Sequence, residues 1–224
     1  TARFNNPFIK VFEEEREMTV MLLIDVSGSK DFGTQHQMKQ ELVTELSAVL
    51  AFSAIQNNDK IGVVFFSNKI EKYIPPKKGK SHILRIIREL ITFEPEEKGT
   101  NISEALRFLN NVIKKRSICF VISDFFDDNF EVPLRIANKK HDVVSVKISD
   151  LREQELIDVG LIQTVDAENG NIQWIDTSNK KLRENYKRSF MKNDNRINQI
   201  FKTSGVDVIN LSTDKDYVKP LIAF

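Results

Sequence analysis

Asp25, Ser27 and Ser29 occupy alternate positions of the stretch Ile24-Asp25-Val26-Ser27-Gly28-Ser29. In extended backbone, residues i, i+2 and i+4 point to one side. One carboxylate and two hydroxyls are therefore offered to a single point. Hard divalent cations such as Mg²⁺ take oxygen ligands in a near-octahedral array. Thr100, in a polar loop, and Asp124, at the end of Ile122-Ser123-Asp124, carry oxygens of the same kind. A cation held by three neutral hydroxyls, with two carboxylates acting through water, stays electron-poor. It keeps a position open for a carboxylate from another molecule. Such a site suits metal-bridged adhesion between proteins rather than water activation. Each residue also has a structural use, because Ser, Thr and Asp are turn and helix-capping residues. Thr100 alone suits a helix N-cap, with Ser103 as a competitor, and Asp124 alone suits the cap of a following helix.

Other chemistries find less support. Ser27 as an acyl-enzyme nucleophile needs a base, and His36, His82 and His141 are the only histidines. Nothing resembles a glycine-flanked nucleophile elbow. Asp25 as a phosphoryl acceptor would want a second Asp two residues on, where Ser27 stands. Gly79-Lys80-Ser81 echoes the end of a phosphate-binding loop, but that pattern needs a glycine where Ile74 stands. Lys77, Lys78 and Lys80 read as a basic surface patch. A net charge of +1 gives no general pull towards nucleic acid or anionic membrane. Cys119 is the single cysteine, in an apolar run, and fits a reducing, cytoplasmic compartment. No apolar run reaches the roughly 18 residues that span a bilayer, so no membrane segment is expected.

The elements that must position these residues follow from apolar periodicity. Residues 1–17 read as an extended segment, Glu-rich at Glu13-Glu14-Glu15, and the initial Thr1 is expected to mark the trimmed remainder of a longer protein. Residues 18–224 read as one domain. An apolar run from Met18 leads to Asp25, as in a buried parallel strand. A helix from His36 to Gln56 is expected to point Met38, Leu42, Leu46, Val49 and Leu50 inward. Ile61–Phe66 reads as a central strand and Ile70–Ile74 as an edge strand stopped by Pro75-Pro76. A helix over 81–93 turns Ile83, Leu84, Ile86, Ile87 and Leu90 inward. A helix over 102–115 buries Ala105, Leu106, Leu109 and Ile113. Strand 117–123, helix 130–139 and strand 142–148 follow. Asn169-Gly170 marks a hairpin near residues 161–176, expected on the sheet edge. Thr177 or Ser178 should cap a long helix with Leu182, Tyr186, Phe190, Ile197 and Phe201 on one stripe, stopped at Gly205. Strand 206–211 and a helix over 216–223 complete an α/β, Rossmann-like, doubly wound, mostly parallel sheet with helices on both faces. In such a sheet, Asp25 and Asp124 lie close if their strands are neighbours.

Asp25-x-Ser27-x-Ser29, Thr100 and Asp124, in that order between alternating strands and helices, resemble the metal-ion-dependent adhesion site of a von Willebrand factor type A domain. Thr1-Ala2-Arg3, the stretch from Lys10 to Glu17, Arg88-Glu89-Leu90, Phe93-Glu94-Pro95, Ile122-Ser123-Asp124-Phe125 and Asp214-x-Asp216-Tyr217 carry a narrower likeness. They resemble the bacterial domain-of-unknown-function 58 family, commonly encoded beside MoxR-type AAA+ ATPases. The resemblance implies a non-catalytic partner or adaptor of such an ATPase and its client, cytoplasmic or on the cytoplasmic face of a membrane. It implies direct metal ligation by Ser27, Ser29 and Thr100, with Asp25 and Asp124 acting mainly through water. Mg²⁺ is the expected ion, and Mn²⁺ and Ca²⁺ take the same ligands. Phe125, Phe126 and Asp127 are expected to form a partner-binding rim. Two other readings use the same residues: a metal-dependent hydrolase or phosphotransferase, and a scaffold with a vestigial site that binds through Phe125, Phe126 and the hairpin around Trp174. Many A domains have Gly after the last Asp and two glycines before the Thr. Here Phe125 and Lys98-Gly99 stand there, which alters the rim.

Overall fold

Met18 to Ile24 is apolar apart from Thr19, and burial follows: β1 (Thr19–Asp25) is buried along its middle five residues. A computed structural model of the chain describes residues 17–27, 39–96, 99–165 and 172–223. After β1 come α1 (Lys39–Gln56), β2 (Lys60–Phe66), β3 (Ile70–Lys77), α2 (Lys80–Thr92) and α3 (Ile102–Val112). Then follow β4 (Ile118–Ser123), α4 (Glu131–Lys140), β5 (Asp142–Ser149) and α5 (Leu151–Gln154). The hairpin strands β6 (Leu161–Val165) and β7 (Ile172–Asp176), α6 (Lys180–Ser204), β8 (Asp207–Ser212) and α7 (Val218–Ala223) complete the order.

Six strands form one sheet in the order β3-β2-β1-β4-β5-β8, and only β3 runs antiparallel to its neighbour. Side chains alternate between its faces. Leu22, Ile24, Val63, Phe65 and Val146 pack with α1 and α2. Met21, Leu23, Val64, Phe66 and Val121 pack with α3, α4 and α6. This is the doubly wound, von Willebrand A-type sheet expected from the sequence. Ile24 lies beside Phe65 on one side and Ile122 on the other. Asp25 and Ser123 therefore leave the sheet side by side, and the adjacency required of Asp25 and Asp124 is met.

Several expectations need correction. β3 does not stop at Pro75 but runs through both prolines to Lys77. It is an edge strand, so the missing N–H groups break no ladder on its outer side. Its pairing with β2 is irregular there, between Ile61 and Val63. Gly62 permits the crossing, since a Cβ on it would lie 2.9 Å from Pro76 N, Ile74 O and Met21 Sδ. Val49 and Leu84 face outward, because α1 buries Leu42, Leu46, Ser47, Ala51 and Ala54, and α2 buries His82, Ile83, Ile86 and Leu90. The hairpin is a separate two-stranded sheet, not an extension of the main one. It leaves Leu161, Ile172 and Trp174 exposed. Asn169-Gly170 lies outside the described residues, as do residues 1–16, Ser29, His36 and Met38.

Asn179, rather than Thr177 or Ser178, caps α6 by accepting from Leu182 N. Of the α6 stripe, only Ile197 and Phe201 are fully buried, while Tyr186 is partly exposed. Gly205 ends that helix at φ 63°, the left-handed conformation that suits glycine. The short α5 was not anticipated. Asp150 and Glu153 form its capping box, a signal present in Asp150-Leu151-Arg152-Glu153.

Candidate metal centre

The Asp25 carboxylate turns back on its own chain. Its Oδ1 accepts from Ser27 N at 3.0 Å, which folds Asp25-Val26-Ser27 into a tight turn. Its Oδ2 accepts from the hydroxyls of Ser123 at 2.7 Å and Thr100 at 3.2 Å. The Thr100 hydroxyl also lies 2.9 Å from Ser27 Oγ. Asp25, Ser27 and Thr100 thus bring three oxygens together from two distant segments. Ser29, the other expected hydroxyl, lies outside the described residues.

Thr100 is free for this because it caps nothing. Asn101 is the N-cap of α3, accepting from Glu104 N at 2.9 Å. Its own N–H is tied to Ser67 O at 2.9 Å, which anchors the loop beside β2. Gly99 makes the approach at φ +90°, and a Cβ there would lie 2.8 Å from the Asn68 amide. The backbone conformation at this position is one that suits glycine.

Ser123 was missed in the sequence. Strand alternation gave no reason to single it out, and only the β1–β4 register brings its hydroxyl to Asp25. Burial, and then the nearby charge of Asp124, push the Asp25 carboxyl up to about 6. Its hydrogen bonds from Ser123 and Ser27 oppose that rise.

Asp124 makes the same kind of side chain to backbone hydrogen bond, its Oδ1 accepting from Phe126 N at 3.2 Å. Among the described residues its Oδ2 meets no hydroxyl. It faces the ammonium of Lys39 at 3.4 Å, and that ammonium also pairs with Glu153. Burial alone would lower the Lys39 pKa, but the carboxylates of Asp124 and Glu153 outweigh it and raise it. At Glu153, by contrast, burial wins, and the carboxyl is raised in spite of Lys39.

The expected rim needs correction. Phe125 is fully buried, packed against Phe130 and Phe201 with ring centroids 5.6 and 4.9 Å away. Its φ of +62° turns the chain so that the ring enters the core. Asp127 caps α3 from outside, accepting from Ile102 N at 2.8 Å. Phe126 remains at the surface, 40% exposed and 6.0 Å from Phe190, and Asp127 is half-buried beside it.

Among the described residues no group of three or more His, Cys, Asp or Glu side chains is gathered for a metal. The oxygens that do converge are hydroxyls around one carboxylate. Such a donor set fits a hard, oxygen-seeking dication and not a soft one. Ser27, Thr100 and Asp25 would hold it, with Asp124 alongside.

The sheet is similar to that of two solved structures. One is a conserved hypothetical protein, BatB, from Bacteroides thetaiotaomicron, with a TM-score of 0.61 and 15% identity over 92% of this chain and 95% of that one. The other is an aerotolerance-related membrane protein from Bacteroides fragilis, with a TM-score of 0.63 and 16% identity over 92% of this chain and 96% of that one. These likenesses concern the fold. In sequence, the uncharacterized protein Rv1480 of Mycobacterium tuberculosis is 26% identical over 227 aligned residues, covering all of this chain and 71% of the relative. The model of one family matches residues 1–196, and the chain belongs to that family, described as Protein of unknown function DUF58.

Proposed function

We propose that this domain is a non-catalytic, divalent-metal-dependent interaction module that grips an acidic residue of a protein partner. The observation that carries the reading is the placement of Thr100. Its hydroxyl is released from helix capping by Asn101 and lies against Ser27 Oγ and Asp25 Oδ2. A helix cap or a simple turn would not bring a hydroxyl 73 residues away onto Ser27. A dication bound there would supply an open coordination position for an incoming carboxylate. Ser27 and Thr100 would orient it, and Asp25, fixed by Ser123, would balance its charge.

The described histidines favour this reading over hydrolysis through Ser27. His82 is bonded to Ile61 O at 2.9 Å and His141 to Ser117 at 3.0 Å, both at the opposite end of the sheet. His36 lies outside the described residues. By family resemblance, the partner system is a MoxR-type AAA+ ATPase and its client, in a cytoplasmic setting. Among the described residues no helix is long and apolar enough to cross a membrane.

Calorimetric titration of the chelator-treated domain with Mg²⁺ and Mn²⁺ tests the site. One binding event, lost in Ser27→Ala and in Asp25→Ala, is the expected result. No binding to the folded native domain, alone or with an acidic partner peptide present, would overturn the metal reading. Co-precipitation with the neighbouring ATPase, with and without Mg²⁺ and nucleotide, tests the partner separately.

A further inference from the structure

Lys39 is an unusual neighbour for a cation site. It is 4% exposed, and its ammonium lies between Asp124 and Glu153. Lysine is seldom buried so fully unless it is paired. The two partners are held differently. Glu153 sits in the capping box of α5, its Oε2 accepting from Asp150 N at 3.2 Å. Asp150 is itself fully buried and accepts from the Thr213 hydroxyl. Glu153 is thus a fixed anchor, and its contact with Lys39 is the shorter of the two. The contact with Asp124, at 3.4 Å, is long for a charge-assisted hydrogen bond. Asp124 is in turn close enough to Asp25 to raise its carboxyl.

We propose that Lys39 is a tethered cation that competes with a divalent ion for the Asp124 carboxylate, with Glu153 as the anchor that holds the ammonium when the ion enters. This rests on reading the strand-end cluster as a cation site. In a half-buried site, like charges repel strongly, because little water intervenes. The ammonium therefore weakens the hold on a dication, and a weakly held, charge-deficient ion gains more from a partner's carboxylate. Glu153 limits the competition by drawing the ammonium away from Asp124. Lys39 acts here as a positioning residue, since it touches Asp124 and not the ion.

The test is Mn²⁺ titration by calorimetry of the native domain, Lys39→Met and Glu153→Gln, with the melting temperature of each recorded in chelator and in Mn²⁺. Lys39→Met is expected to bind Mn²⁺ at least about tenfold more tightly, and Glu153→Gln about threefold more weakly, the sizes set by one unit of charge a few ångströms from the ion. A damaged fold would weaken binding, so tightening is not a structural side effect. If the native domain binds but Lys39→Met binds equally or more weakly, the inference fails while the metal reading stands. If only Lys39→Met binds, the inference stands and the native domain is not a resting metal binder. If no form binds, both fail. If Lys39→Met does not fold, Lys39→Gln decides: tighter binding supports the competition, and unchanged or weaker binding overturns it.

Discussion

Asp25 and Asp124 stand at the ends of neighbouring parallel strands, accept the same kind of backbone hydrogen bond and are put to different uses. Each Oδ1 accepts the N–H of the residue two positions on, Ser27 in one turn and Phe126 in the other. Each is followed by a buried apolar residue, Val26 or Phe125. The difference lies in what meets Oδ2. Asp25 receives two hydroxyls, from Ser123 and Thr100, and Asp124 faces the ammonium of Lys39. One turn gathers neutral oxygens with lone pairs to spare, and the other gathers a compensating charge. A strand-end aspartate therefore identifies a place on the sheet edge, not a role. The role comes from residues that other elements bring to it.

The largest expected effect separates the residues that follow Asp124. Phe125→Ala should lose about 3–5 kcal/mol of stability, the usual cost of removing a buried aromatic ring. Phe126→Ala should stay within about 0.5 kcal/mol, as exposed sites do. Urea unfolding of both variants measures the contrast, and equal losses would place both rings in the core.

Acid sensitivity gives a second test, since it need not arise at these two turns. His141 is fully buried beside Ser117, with Nε2 unpartnered. Burial, aided by the charge of Lys140, lowers its pKa from 6.5 to about 4. The unfolded chain therefore takes up the proton first as pH falls. The stability this group provides is complete above about pH 6.5 and declines towards pH 4, by about 3 kcal/mol in all. His141→Asn should flatten the unfolding profile across that window. An unchanged slope would move the acid response to the carboxylates.

The smallest expected effect bears directly on the two acids. Asp25→Asn should weaken Mn²⁺ binding about 100-fold, and Asp124→Asn only about tenfold, because Lys39 already offsets much of that charge. Titration of both variants checks this, and equal losses would erase the distinction drawn from their neighbours.

The alternation of Asp25, Ser27 and Ser29, the apolar runs of β1, β2 and β4, and the helical spacing of Ala105, Leu106 and Leu109 were legible in the sequence. Each is local, and each follows from the period of a strand or a helix. Asn169-Gly170 marked the hairpin for the same reason, through turn chemistry. The outward turn of Val49 and Leu84, the run of β3 through its prolines, the detachment of the hairpin and the burial of Phe125 were not legible. They depend on which face a neighbouring element covers. The site divides in the same way. That Asp25, Thr100 and Asp124 are oxygen donors beside strand ends is a property of the sequence. That Ser123 joins them, that the Thr100 hydroxyl reaches Ser27 and that Lys39 stands against Asp124 was decided only in three dimensions. Those contacts join residues 73 to 98 positions apart. Only strand register and helix packing set such distances, and no local pattern carries them.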